Sequence, residues 1–172
     1  MEVGKTESIP MEEENQKRVI LVGMDGSRES THALQWVLQD FCTEPYNIII
    51  IHAQPTASRM TRALAAYFRK CSRSLKTFEE GVKKNTEDIF ARAMKECTEK
   101  NVAPELKAVT GDARNVLCKA VEQYSAEMLV LGSHENGFTK RLLCRSVIDH
   151  CAHHARCFVA LVKKKGAWII LN

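Results

Sequence analysis

The sequence lacks the features that mark several classes of protein. No apolar run approaches the roughly 20 residues of a membrane-spanning helix. Residues 1–17 contain no apolar stretch of the kind found in secretory signal peptides. The seven cysteines are an odd number, without the paired spacing of a zinc site or a disulfide framework. We therefore expect an intracellular chain with reduced thiols and no metal, located in the cytoplasm, with the nucleus left open as a second compartment.

Motifs of common catalytic sites are also missing. The sequence has no Walker A pattern, no metal triad and no nucleophile elbow. A formal net charge of +4 is too small to indicate nucleic-acid binding by itself. We therefore predict that the protein is not an enzyme and has no dedicated nucleic-acid site.

What is present is a chain of 172 residues, 45% of them hydrophobic, which suits one domain with a substantial core. Short runs rich in β-branched residues alternate with segments whose apolar residues recur at helical spacing. This order predicts an α/β fold, a doubly wound parallel sheet of five strands with helices on both faces. The predicted strands are residues 18–23, 47–53, 105–109, 127–132 and 157–162.

The ends of the chain and the last helix complete this prediction. Residues 1–17 are polar and acidic, which is typical of a flexible tail. Residues 165–172 form a C-terminal tail that could pack on a neighbour, extend the sheet edge or remain unattached. Ser146 and Asp149 have the spacing of a capping box, so we expect the last helix to begin at Ser146 and to present free backbone N–H groups there.

The loops at the predicted strand ends carry recognisable motifs. They are Val22-Gly-Met-Asp-Gly-Ser27, Thr110-Gly-Asp-Ala-Arg114, Leu129-Val-Leu-Gly-Ser133 and Ser146-Val147. In this order and at these spacings they resemble the universal stress protein family over residues 18–164, and the long segment after the second strand resembles its plant-type members. The resemblance implies a stress-response protein with a Rossmann-like sheet and a cleft for AMP or ATP. It also implies a homodimer paired through the C-terminal strand, from Phe158 to Val162.

The family pattern can be matched to positions in this sequence. In the family, an acidic residue after the first strand lies near the nucleoside, and the backbone at the end of the second strand contacts the adenine. A G-x2-G-x9-G-[ST] loop surrounds the phosphates. The resemblance therefore implies nucleotide-binding roles for Met24, Asp25, Ala53, Gly132, Ser133, His134, Gly137, Arg145, Ser146 and Val147.

This sequence departs from the phosphate-loop pattern at two of its three glycines. Gly132 keeps the first position, but Glu135 and Arg145 replace the second and third. Arg145 could offer a guanidinium fork to a phosphate, or it could pair with Glu135 and fill the phosphate pocket; we favour the pair. Binding of AMP or ATP is then weakened or lost. The alternative function is a dimeric adaptor or chaperone-like module without nucleotide, with protein partners, and a slow ATPase is the least favoured.

Other residues have a plain structural interpretation beside a functional one. Asp25 could cap a turn instead of meeting a ligand. We interpret His52 as a half-buried, hydrogen-bonded histidine, and Asp112 with Arg114 as a helix cap with a local ion pair. The cluster of His150, Cys151, His153, His154 and Cys157 could bind metal, but helix-end packing is the favoured interpretation.

Two surface predictions remain. Residues 46–78 contain no Asp or Glu and several Lys and Arg, so they could meet an anionic partner or simply form a solvated helix face. The apolar strand from Phe158 to Val162 would expose unpaired backbone groups if it ended the sheet, which favours pairing with a second copy.

Overall fold

A computed structural model describes residues 18–41, 46–57, 69–133, 138–163 and 168–171, of which residues 69–75, 138–145 and 168–171 are described by their backbone alone. Strands and helices alternate as predicted, and a short strand is added at the end. The elements are β1 (Arg18–Gly23), α1 (Arg28–Asp40), β2 (Tyr46–Gln54), α2 (Arg69–Glu99), β3 (Glu105–Thr110), α3 (Ala113–Gln123), β4 (Met128–Gly132), α4 (Phe138–His154), β5 (Phe158–Val162) and β6 (Trp168–Leu171).

The strands form one sheet in the order β3-β2-β1-β4-β5-β6. The first five strands are parallel, which confirms the predicted doubly wound fold. Strand β1 pairs with β2 on one side and with β4 on the other, so the strand order reverses beside β1. In sheets of this kind, ligands bind outside the carboxyl ends of the strands at that reversal.

Alternate residues of each strand pack against helices on opposite faces of the sheet. In β1, Ile20 and Val22 belong to the core that contains residues of α1 and α2, whereas Leu21 belongs to the core of α3 and α4. All three side chains are fully buried. A strand covered on both faces needs a continuous apolar run, and this explains why the sequence signal for β1 was clear.

The C-terminal strand β6 changes the edge of the sheet. It pairs antiparallel with β5, from Val159 opposite Leu171 to Val162 opposite Trp168. Strand β5 is therefore an interior strand, and the prediction that its edge is open for a second copy was wrong. A homodimer through residues Phe158 to Val162 would have to displace β6 first. Of the three fates considered for residues 165–172, extension of the sheet edge is the one observed for Trp168–Leu171.

Helix α4 begins well before the expected start. It runs from Phe138 to His154, so Ser146 lies inside the helix and is exposed. The prediction of a capping box at Ser146 was wrong. The physical reason lies in residues 138–145, which contain neither glycine nor proline. With Arg145 where the family pattern has glycine, no flexible residue interrupts the helix, and its orphan N–H groups lie at Phe138 instead of at Ser146.

The cap of helix α3 agrees with the sequence prediction. Asp112 is the N-cap residue, and its Oδ1 accepts hydrogen bonds from the Arg114 backbone N–H at 3.0 Å and from Arg114 Nε at 2.9 Å. A second guanidinium nitrogen of Arg114 lies 2.8 Å from Asp112 Oδ2. The hydrogen bonds from the Arg114 side chain lower the pKa of Asp112 to about 2. The cap with a local ion pair is therefore confirmed.

Candidate functional site

A cleft opens at the carboxyl ends of the strands, beside the point where the strand order reverses. Its floor comes from the ends of β1, β2 and β4, and its walls come from α3 and α4. The floor residues are Gly23, Met24, Asp25, Ile51, Ala53, Leu131 and Gly132, and the wall residues include Leu117, Val147 and Ile148. Most of these side chains are apolar, with Asp25 and Ser30 as the polar exceptions. Such a lining suits a flat, largely apolar ligand with a few polar groups.

Asp25 follows β1 directly and is exposed at the cleft. Its Oδ1 accepts hydrogen bonds from the Ser27 backbone N–H at 2.9 Å and from the Ser27 hydroxyl at 2.5 Å. Gly26, between them, has φ of +82°, a conformation that glycine adopts without strain. Asp25 thus closes the turn before α1 and also faces the cleft. The two interpretations of this residue are compatible with each other.

A buried histidine ties the turn after β1 to β2. The Met24 backbone N–H donates to the Ile51 carbonyl at 2.8 Å. His52 Nδ1 donates in turn to the Met24 carbonyl at 2.7 Å. His52 is only 4% exposed, so the expectation of a half-buried side chain was wrong. Its Nε2 is buried and has no hydrogen-bond partner among the residues that the structure describes. His52 therefore acts on the cleft indirectly, by holding the backbone next to Asp25.

Gly132 is required by packing, whatever its relation to a ligand. A Cβ atom at this position would lie 2.6 Å from the Ser30 nitrogen and closer still to the Glu29 carbonyl. Real Cβ atoms do not approach backbone so closely. Glycine at the end of β4 therefore lets the first turn of α1 lie against the sheet. This close approach also brings Ser30, which is buried, to the cleft.

The structure brings five of the predicted site residues together. Met24, Asp25, Ala53, Gly132 and Val147 all line the cleft, although they are distant in sequence. Apart from Val147, the pattern did not name the apolar wall. Its members Leu117 and Ile148 lie on helices that the sequence placed correctly, but only the packed fold shows which of their faces meets the cleft.

The other predicted site residues do not line it in the described structure. Ser133 is half-buried just beyond β4, and its backbone N–H donates to the Val162 carbonyl at 2.9 Å. Ser146 is exposed on α4. His134, Glu135 and Gly137 lie outside the described residues, as does the side chain of Arg145. The Glu135–Arg145 pair therefore stays a prediction.

Within the histidine and cysteine cluster at the end of α4, His153 and His154 are exposed, whereas Cys151 belongs to the core. The rings of His150 and His154 lie 4.3 Å apart between centroids. His153 Nδ1 donates to the Asp149 carbonyl at 2.7 Å, and Cys151 is fully buried. In the part of the chain that the structure describes, no group of three or more His, Cys, Asp or Glu side chains could hold a metal ion. Within the same residues, no helix is both long and apolar enough to span a bilayer.

The doubly wound sheet, with a cleft beside its strand reversal, places the protein in the class of open parallel α/β folds. The sequence model of the universal stress protein family matches residues 17–163. The chain therefore belongs to the universal stress protein family.

Individual relatives are distant. A universal stress protein A-like protein of Arabidopsis thaliana is 22% identical over 137 residues, which cover 78% of each chain. The crystal structure of a universal stress protein family protein from Arabidopsis thaliana with AMP bound matches with a TM-score of 0.61 at 21% identity, over 85% of this chain and 91% of that chain. A universal stress protein in complex with cAMP matches with a TM-score of 0.62 at 22% identity, over 84% and 96% of the two chains. At such identities the structural matches show the fold.

Proposed function

We propose that this stress protein binds the adenosine part of an adenine nucleotide, AMP in preference to ATP, and that its phosphate subsite is altered. The observation that carries the proposal is the convergence of Met24, Asp25, Ala53, Gly132 and Val147 on one cleft at the strand reversal. A solved relative holds AMP and another is in complex with cAMP, which supports an adenine nucleotide as the ligand class.

The chemistry of the cleft suits the nucleoside. Ile51, Leu117 and Val147 offer apolar surface to a flat base. The exposed carboxylate of Asp25 can accept hydrogen bonds from ribose hydroxyls, and a hydrogen bond to a charged group contributes about 1.5–3 kcal/mol. Because His52 and the Ser27 turn already hold this backbone, the site would bind without a large rearrangement.

We infer that the phosphate side of the cleft is altered, and the start of helix α4 supports this inference. A phosphate at Ser146 would need N–H groups at a helix N-terminus. Helix α4 begins at Phe138, so the Ser146 N–H lies eight residues inside the helix. In the sequence, Glu135 replaces the second glycine of the phosphate-loop pattern and carries a negative charge. We infer that contacts to a triphosphate are weakened. We also propose that the protein is not an enzyme and that it is located in the cytoplasm.

The test is the thermal midpoint of the purified protein with adenosine, AMP, ADP and ATP at millimolar concentration. A ligand at 100 times its Kd stabilises the native state by about 2.7 kcal/mol. For a chain of this size that corresponds to a rise of about 5–10 °C. Adenosine and AMP should raise the midpoint, and ATP at the same concentration should raise it less. The absence of a shift with every one of these ligands would refute the proposal and favour the adaptor without nucleotide.

A matched variant locates the binding. Asp25→Asn keeps an oxygen that can accept the Ser27 hydrogen bonds but removes the charge. The variant should retain the midpoint of the free protein and lose about 10- to 100-fold in AMP affinity, the equivalent of one charged hydrogen bond. Unchanged affinity in Asp25→Asn would place the nucleotide elsewhere. Phosphate release from ATP above background would contradict the inference that the protein is not an enzyme.

A further inference from the structure

Three cysteines lie together on the face of the sheet covered by α3 and α4. Cys118 lies on α3, Cys151 lies near the end of α4, and Cys157 precedes β5. All three belong to the same hydrophobic core, in which Cys151 is fully buried and the other two are partly buried. They are free thiols in the structure. Nothing in the proposed nucleotide site uses them.

The contacts within this group single out one pair. The side chains of Cys118 and Cys151 lie within hydrogen-bonding reach of each other. The sulfur of Cys157 accepts a hydrogen bond from the Leu129 backbone instead. Among the residues whose side chains are described, one further cysteine is free. This is Cys97, which lies on α2 and is buried in the core on the opposite face of the sheet. Cys118 and Cys151 are therefore the pair whose side chains already interact, and a disulfide would bring their sulfurs to about 2.05 Å.

We propose that Cys118 and Cys151 are an oxidation site, at which a hydroperoxide converts the two thiols into a disulfide that ties α3 to α4. Cys118 is the partly exposed member and meets the oxidant, and the buried Cys151 is the resolving thiol. These helices also form the wall of the cleft, since Leu117 precedes Cys118 and Val147 lies one helical turn before Cys151.

The chemistry balances with hydrogen peroxide as the oxidant. The deprotonated Cys118 sulfur attacks one peroxide oxygen, so that an S–O bond forms, the O–O bond breaks and the departing hydroxide takes up a proton as water. The Cys151 sulfur then attacks the sulfenic sulfur, an S–S bond forms, the S–O bond breaks, and the proton of Cys151 leaves with the hydroxide as a second water. The two thiols lose two electrons and the peroxide gains them.

Burial makes this reaction slow. It raises the pKa of both the Cys118 and the Cys151 thiols, and only the thiolate is an effective nucleophile. We therefore expect the disulfide to form over minutes to hours at a sustained high peroxide concentration, and not at trace concentrations of peroxide.

Trypsin separates the three cysteines, since Cys118, Cys151 and Cys157 fall in residues 115–119, 146–156 and 157–163. The full-length folded protein is treated with hydrogen peroxide, alkylated without reduction, digested and analysed by mass spectrometry. The expected product is the fragment 115–119 joined to 146–156, with the mass of two hydrogens lost. It should disappear on reduction and in Cys118→Ser, and it should persist in the control variant Cys97→Ser.

Three results would overturn the proposal. Preferential pairing of Cys118 or Cys151 with any of the other cysteines would show that the observed contact does not direct the chemistry. Conversion of Cys118 to sulfinic or sulfonic acid without a cross-link would show that Cys151 does not resolve it. If urea-unfolded protein gave the same cross-link in the same yield, the fold would have no part in the pairing. Because Cys118 is only partly buried, Cys118→Ala is a second variant should the serine variant fold poorly.

Discussion

Replacement of Gly132 by alanine tests the packing account of the cleft floor. The added Cβ would lie 2.6 Å from the Ser30 backbone nitrogen and nearer to the Glu29 carbonyl, and both belong to the first turn of α1. Backbone atoms cannot rotate away as a side chain would, so α1 must shift from the sheet. Overpacking of this kind typically costs about 1–3 kcal/mol, and a backbone clash belongs at the upper end.

The chain offers a matched control in Gly81, which lies in α2, where an added Cβ atom would meet nothing within 4 Å. Gly81→Ala should stabilise the protein by about 0.5–1 kcal/mol, because alanine is the better helix former. Urea unfolding measures both variants, and the midpoint should shift at constant slope. For a chain of this size, Gly132→Ala should lower the thermal midpoint by about 2–12 °C.

Together, Gly132→Ala and Gly81→Ala test whether Gly132 is needed for the packing of α1 against β4. If Gly132→Ala lost less than about 0.5 kcal/mol, the close approach of α1 to β4 would be wrong. If it retained its stability and lost only AMP binding, Gly132 would be a ligand contact instead of a packing requirement. A loss of binding accompanied by the full loss of stability is the expected result.

Three further predictions concern the turn after β1, the α3 cap and the last strand. Replacing His52 by leucine removes the donor to the buried Met24 carbonyl and should cost about 1–3 kcal/mol in urea unfolding, whereas His52→Asn, whose amide can donate from a similar position, should retain more stability. The pKa of Asp112 is lowered to about 2, so its contribution to stability is present above about pH 4 and is lost as the pH falls through about 2. Asp112→Asn should therefore flatten the acid dependence of the thermal midpoint over that range, and an unchanged profile would contradict the assignment. Deleting residues 164–172 uncovers β5 and should increase self-association in sedimentation experiments; a dimer that becomes monomeric on deletion would instead make β6 the contact.

The sheet was predictable because its signals are local. Apolar runs such as residues 18–23 are long enough for a strand buried on both faces, and the spacing of Leu117 and Val121 indicates a helix. Asp112 and Arg114 make their contacts within two residues of each other, so their cap and ion pair were also visible in sequence.

The predictions that were wrong concern features that a local sequence pattern does not decide alone, because other residues of the chain also contribute. Ser146 and Asp149 have the spacing of a capping box, but residues 138–145 contain no helix breaker, and the helix extends through them. Strand β6 is an apolar segment of only four residues. Its sequence is equally compatible with packing elsewhere, so its pairing with β5 could not be predicted. The burial of His52 depends on α2, which lies far along the chain, and sequence spacing does not show such contacts.

The most direct test of the central claim compares ATP binding to the natural chain with binding to a variant in which Glu135 and Arg145 are both replaced by glycine. Titration calorimetry with AMP and with ATP on both proteins distinguishes binding in the adenosine part of the cleft from binding in its phosphate part. We expect nearly equal AMP affinity in the two proteins and tighter ATP binding to the double variant, because the glycines would let the backbone N–H groups at Ser146 reach the phosphates. ATP binding that is already tighter than AMP binding in the natural chain, and that falls on replacement of Arg145, would contradict it and would show that the guanidinium holds the phosphates.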